Sequence, residues 1–159
     1  RKWGSVVNYS LERGQTMFMG EYHHNLDSKG RLIIPAKFRV EIGDKMIFTR
    51  GMEGCIFGYP IEEWQKIEAK LAKLPLTKRS ARKFTRLFYS GAMESEFDKQ
   101  GRVNLTMTLK EHAALIKECV IVGVSNRIEI WSAERWNDFS EEANENYDDI
   151  AEDLDDIEL

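Results

Sequence analysis

The amino-acid sequence predicts a mixed β/α protein with a mainly β core, built from two copies of one small β-hairpin module. Three observations lead there: an internal repeat, two turns of like composition in register within it, and enough apolar residues to fill a core. Gly20-Glu-Tyr-His-His-Asn-Leu-Asp27-Ser-Lys-Gly30-Arg31-Leu-Ile-Ile lies over Gly91-Ala-Met-Glu-Ser-Glu-Phe-Asp98-Lys-Gln-Gly101-Arg102-Val-Asn-Leu at an offset of 71. One inserted residue then makes the offset 72, aligning Gly51 with Gly123, Ile56 with Ile128, Tyr59 with Trp131 and Trp64 with Trp136. Identities are few, but they fall at turns and aromatic anchors. The units span about 20–74 and 91–147, with a helical connector over 75–90 and a tail over 148–159. At 159 residues and 42% apolar, the chain suits one domain or two small intertwined ones.

Each element has its local reason. Glu21–Leu26 and Arg31–Ile34 read as strands around Asp27-Ser28-Lys29-Gly30, with Asp and Gly where a type I turn prefers them. Pro35 fits the first position of a short helix, Pro35–Glu41, which Gly43 closes. Met46–Arg50 and Cys55–Tyr59 read as a hairpin with Gly51 and Gly54 in its loop. After Pro60, the spacing of Trp64, Ile67, Leu71 and Leu74 marks one face of a longer helix. In the second unit, Thr108 and Glu111 have capping-box spacing, and Val120–Val124 with Arg127–Trp131 form the hairpin. Ser132 caps a helix carrying Trp136, Phe139 and Ala143 on one face. In the connector, Thr77 is placed to cap a helix over Thr77–Ser90 that ends at Gly91. Residues after about Tyr147 are acidic and poor in apolar side chains, so a frayed tail is expected.

Net charge is −4, but its distribution is uneven. No Lys or Arg follows Arg135, while eleven acids do, so residues 1–135 carry a net +7. A basic body with an acidic tail hints at nucleic-acid contact. Cys55 and Cys119 fit no zinc or CxxC spacing and read as reduced thiols of a cytosolic protein. His23 and His24, adjacent on a strand, point to opposite faces and make a poor metal pair. No apolar run approaches a membrane span, and no signal peptide is visible. No P-loop, dinucleotide fingerprint or nucleophile elbow is present, so no cofactor, small-molecule substrate or enzymatic activity is implied. Arg1–Thr16 show no period and precede Met17-Phe-Met-Gly, which reads as a start; they are expected to be a non-native or over-called extension.

Asp27-x-x-Gly30-Arg31 followed by Leu-Ile-Ile-Pro35 resembles the AbrB-type swapped-hairpin DNA-binding module. The second copy at Asp98-x-x-Gly101-Arg102 makes the chain similar to the MraZ family of bacterial transcriptional regulators. Met17-Phe-Met-Gly-Glu-Tyr, Leu74-Pro-Leu-Thr and Gly123-Val-Ser-Asn-Arg-Ile-Glu-Ile-Trp131 extend the likeness, which runs from Met17 to about Tyr147. The resemblance implies two hairpin modules intertwined as a pseudo-two-fold, double-split swapped-hairpin barrel with peripheral helices. It implies a ring of several subunits, associated with the nucleoid in the cytoplasm. It also implies double-stranded DNA as partner, recognised as repeated promoter boxes ahead of the division and cell-wall gene cluster. The DNA-contact motif falls on Asp27 with Arg31 and Asp98 with Arg102. The second unit departs from the pattern, with Thr106 where the first has Pro35.

A turn requires Asp27 and Gly30 but not Arg31, whose guanidinium either only pins the hairpin or is held by Asp27 toward DNA. Lys29 and Lys99 suit phosphate contacts, and Arg39 on the short helix is a further candidate. Arg82, Lys83 and Arg86 form a stripe on the connector that suits solvent or a subunit contact, the acidic tail, or DNA. The alternatives to a DNA-binding regulator are an interaction scaffold of the same fold and an antitoxin-like partner binder.

Overall fold

The computed structural model describes residues 17–154 and Ile157; the expected N-terminal extension lies outside them. The first unit comprises β1 (Phe18–Asn25), β2 (Arg31–Ile33), helix α1 (Ala36–Ile42), β3 (Lys45–Arg50), β4 (Ile56–Pro60) and α2 (Ile61–Leu71). The connector is α3 (Arg79–Ser90). The second unit repeats the order with β5 (Met93–Glu96), β6 (Arg102–Asn104), α4 (Met107–His112), β7 (Glu118–Ser125), β8 (Arg127–Ser132) and α5 (Ala133–Glu145), followed by α6 (Tyr147–Glu152).

The strands form a six-stranded antiparallel sheet, ordered β1-β7-β8-β4-β3-β5, and a two-stranded sheet of β2 and β6. Exchanging the units reverses the first order and leaves the second unchanged, so the fold has a pseudo-two-fold axis. Each unit sends its first strand across: β1 pairs with β7 of the second unit, and β5 with β3 of the first. Leu32 pairs with Val103 and Phe57 with Glu129, each with its own repeat equivalent, so the axis runs through these two pairs. The ladder does not close into a barrel. β1 and β5 end the large sheet, and three-residue β2 and β6 are too short to bridge them.

Alternation of side chains divides the core into two layers. On one face of the large sheet, Met46, Phe48, Ile56, Ile121, Ile128 and Ile130 pack with the β2–β6 ribbon and with Phe38 and Leu109 of the short helices. On the other face, Ile47, Phe57, Tyr59, Val120 and Trp131 lie under Trp64 of α2 and Phe88 of α3, with Trp136 of α5 packed alongside. The rings of Trp64 and Phe88 stack at 5.6 Å, and Thr49 donates from its buried hydroxyl to the Phe88 carbonyl, fastening α3 to β3. Both thiols are buried, and burial pushes the Cys119 thiol up to about 11. Among the described residues no helix is long and apolar enough to cross a membrane.

Several expectations shift. Tyr22 pairs with Ile121, and its equivalent Met93 pairs with Phe48, so β3 and β7 correspond at an offset of 73. Gly123 therefore matches Arg50 instead of Gly51. Between equivalent positions the second unit gains two residues from the short helix to β7 and loses one from β7 to β8, restoring 72 at β8. Thr106, not Thr108, caps α4, its hydroxyl accepting from the Leu109 amide at 3.3 Å. Its φ of −67° and ψ of 156° lie close to the −50° and 137° of Pro35, so the chain turns alike at both sites. Thr77 caps nothing. α3 begins two residues later after Lys78, and Arg82 donates to the Leu76 carbonyl beside that end. The start of the acidic tail is helical, with Asp148 and Asp149 in the first turn of α6, where the helix dipole favours anions.

Leu32 is fully buried on the axis. Leu32→Ala is expected to cost roughly 2–5 kcal/mol in urea unfolding. Ile33→Ala, one residue on and 38% exposed, should cost clearly less. Equal losses would contradict this placement of the axis.

Candidate nucleic-acid interface

The two Asp-x-x-Gly-Arg turns are built alike. In the first, the Gly30 amide donates to the Asp27 carbonyl at 3.0 Å and the Asp27 amide to the Arg31 carbonyl at 2.9 Å. In the second, Gly101 donates to Asp98 at 2.9 Å and Asp98 to Arg102 at 3.0 Å. Gly30 and Gly101 have φ of 74° and 78°, the left-handed residue that follows a type I turn in a hairpin.

Within each turn the carboxylate works on both edges. Asp27 Oδ1 accepts from the amides of Lys29 and Arg31, both at 2.9 Å, and Oδ2 accepts from Arg31 Nε at 2.7 Å. Asp98 does the same with the amides of Gln100 and Arg102, at 2.9 and 2.8 Å, and with Arg102 Nε at 2.7 Å. These contacts hold both carboxyls below their ordinary pKa, the arginine amide contributing most and its guanidinium also stabilising the anion.

The β2–β6 pairing brings the turns together. Arg102 Nη1 reaches Asp27 Oδ2 at 3.5 Å, so one carboxylate touches arginines of both units. The four side chains are 21–34% exposed, a range in which ion pairs add little net stability because water competes. Their spare capacity is the informative feature. Arg31 uses only Nε; among the described residues neither of its Nη atoms has a hydrogen-bond partner. Arg102 is more committed, since its Nη2 also donates to Gln100 Oε1 at 3.0 Å.

Further cations come from across the repeat boundary. A side chain at Gly101 would collide with the guanidinium of Arg39 on α1, and one at Gly30 with the ammonium end of Lys110 on α4. Arg39 and Lys110 are repeat equivalents, so each turn glycine lies under a basic side chain of the other unit's short helix. Arg39 is steadied by donating from Nε to the Ile34 carbonyl at 2.9 Å. Lys29 and Lys99 are exposed at the turns. They are not equivalents: Lys29 matches Gln100, and Lys99 matches Ser28. Lys110 and Gln100 are absent from the sequence reading. The alignment of Lys110 with Arg39 was the available signal for the first, whereas the Gln100 contact depends on side-chain reach.

Arg82, Lys83 and Arg86 are elsewhere. They ride on α3, which packs through Phe88 on the opposite face of the large sheet from the β2–β6 ribbon and its turns. The sheet thus separates the turn cations from the connector cations.

The family model described as "MraZ protein, putative antitoxin-like" matches the chain twice, over residues 17–87 and 88–157. Proteins named "Transcriptional regulator MraZ" match over 143 residues, which is 90% of this chain and the whole of each relative. That of Lactobacillus gasseri is 98% identical, that of Lactobacillus helveticus 82% and that of Ligilactobacillus salivarius 62%. The matches span both turns and the strands that exchange between them, and the chain belongs to the MraZ family of transcriptional regulators.

Proposed function

We propose that the chain is a DNA-binding transcriptional regulator whose two arginine turns meet double-stranded DNA together. The observation that carries this reading is the half-used guanidinium of Arg31: one edge is fixed by Asp27 and the other is left with two donors. Such a fork matches guanine O6 and N7, or two oxygens of a phosphate. Asp98 holds Arg102 in the same manner. Lys29, Lys99, Arg39 and Lys110 surround the pair as point charges suited to phosphates. The names carried by the relatives agree with this use.

Magnitudes argue for assembly. A bidentate arginine–guanine contact discriminates by about 1–3 kcal/mol. Nanomolar binding needs about 12 kcal/mol, beyond the cost of immobilising two molecules. Two turns fall short. Several copies in a ring, each engaging one of several repeated boxes, supply the rest by raising effective concentration. The promoter of the division and cell-wall gene cluster, the protein's own gene included, is the expected site, in the nucleoid-bearing cytoplasm.

Arg31→Ala combined with Arg102→Ala is expected to lower affinity for repeat-bearing promoter DNA by at least ~30-fold, from about 1–3 kcal/mol for each of the two contacts. Wild-type binding should weaken steeply with salt. Subunit number is to be measured in parallel, so that a dissociated assembly is not mistaken for a lost contact. Equal binding by an intact mutant assembly would move the DNA surface away from the turns.

The same turns are expected to respond to acid. A carboxylate with a folded pKa below 3.8 stabilises the folded turn above that pH, and the contribution fades as pH falls through the folded value. Amide resonances of Lys29, Arg31, Gln100 and Arg102 should therefore titrate with midpoints below 3.8. Midpoints at or above it would show that the carboxylates do not grip these groups in solution.

A further inference from the structure

We propose that the acidic C-terminal stripe of one copy docks into a basic apolar groove between α2 and α3 of a second copy. The inference rests on the assembly argued above and names the surfaces that would build it. The groove is lined by Leu71, Leu74, Leu76, Ala81 and Tyr89, has a volume of about 380 Å³, and carries Arg82 and Arg86. Leu74, Leu76 and Tyr89 are 37%, 82% and 39% exposed, so the groove lining forms a contiguous apolar patch open to solvent. Lys70, Lys73, Lys78 and Arg79 are exposed around it. From Ala69 to Met93 the chain has seven basic residues and no acid.

The matching surface lies at the other end of the chain. Tyr147, Ile150 and Leu154 recur at helical spacing and are 67%, 47% and 53% exposed. Between them stand Asp148, Asp149, Glu152 and Asp153, all exposed. This is an amphipathic segment with an apolar stripe and a remainder that is acidic except for Ala151. Its chemistry complements the groove in both respects: leucines and a tyrosine for the stripe, and arginines and lysines for the acids. An apolar stripe laid in a groove with charged margins is a common way for one helix to be recognised.

The repeat explains why the partner is a second copy. In the first unit Trp64 of α2 is covered by α3, through the stacked ring of Phe88. In the second unit the equivalent Trp136 packs against Trp131 and Phe139, and Phe139 is 39% exposed. The helix layer therefore has an open groove at the α2–α3 end and an uncovered α5–α6 end. Contacts between unlike surfaces of identical copies run head to tail, and they close into a ring where the rotation allows.

Two full-length variants test this. The groove variant carries Lys73→Glu, Lys78→Glu and Arg86→Glu; the tail variant carries Asp148→Lys, Asp149→Lys, Glu152→Lys and Asp153→Lys. Light scattering reads the mass at moderate salt, and circular dichroism confirms that both fold. The wild type is expected as a multimer, and each variant alone as a species of clearly lower mass. An equimolar mixture should regain the high mass, because reversed groove meets reversed tail and native groove meets native tail. A multimeric wild type with variants of unchanged mass, as docking of the tail on its own groove would give, overturns this inference and leaves the assembly reading standing. Variants that fall apart and do not recover on mixing also overturn it. A monomeric wild type overturns the assembly reading and this inference with it.

Discussion

The structure depends on one constraint: neither unit of the repeat can complete its own sheet. β1 finds its partner in β7, and β5 finds its partner in β3. The six-stranded sheet is the wall that both hydrophobic layers share, and β1 adds Phe18 to the first of them. Everything at the candidate interface follows from that exchange. It places β2 against β6, sets Leu32 on Val103, and brings two turns 71 residues apart in sequence within reach of one another. It also puts each turn glycine beneath a cation from the other unit, Arg39 over Gly101 and Lys110 over Gly30. A half-chain would lose the pairing of the two turns together with the shared core.

The two-fold is approximate, and its departures have chemical content. On the axis, Phe57 faces Glu129, a residue in the same repeat position with the opposite character. Glu129 is nearly buried, accepting from Trp131 Nε1 at 3.0 Å and from Arg127 Nη2 at 2.7 Å, while Arg127 lies over the Phe57 ring at 4.5 Å. One asymmetric network replaces what would otherwise be two identical residues meeting at the axis. The turns differ as well. Lys29 leaves the Arg31 fork alone, whereas its equivalent Gln100 ties down one nitrogen of Arg102. The two turns of one chain therefore present unequal sets of free donors.

Much of this was legible in sequence because it is local. The turn pattern, the strand–helix–hairpin order, the cap at Ser132 and the aromatic anchors Trp64 and Trp136 depend on neighbours within a few residues. Failures came where distant or length-dependent effects decide. The identity of Gly51 and Gly123 suggested an offset of 72, but strand pairing sets 73, because the extra length lies in the link before β7. Thr108 has a suitable acid three residues on, yet the chain reverses at Thr106, where the Pro-like backbone frees the Leu109 amide to meet the hydroxyl. Low apolar content predicts fraying where α6 forms, because the few apolar residues there share one stripe. Lys110 is legible only through its alignment with Arg39 in the repeat, and the Gln100 contact through no pattern at all, since it depends on side-chain reach.

The division of labour within Arg31, whose Nε is held while both Nη atoms stay open, explains what an arginine offers at that place in the turn. The Asp carboxylate spends its second oxygen on Nε, which is possible only because guanidinium has a third nitrogen to give. A lysine at either place has one nitrogen on a flexible stem. It could hold the turn or reach outward to DNA, and a single point charge reads neither edge of a base in a defined plane. Pinning the turn and reaching outward do not compete in Arg31: Asp27 holds one edge of the planar group, and the other edge is left open. The pinned edge fixes the plane of the open one, so an ion pair that adds little to stability at this exposure still sets the direction in which the free nitrogens point.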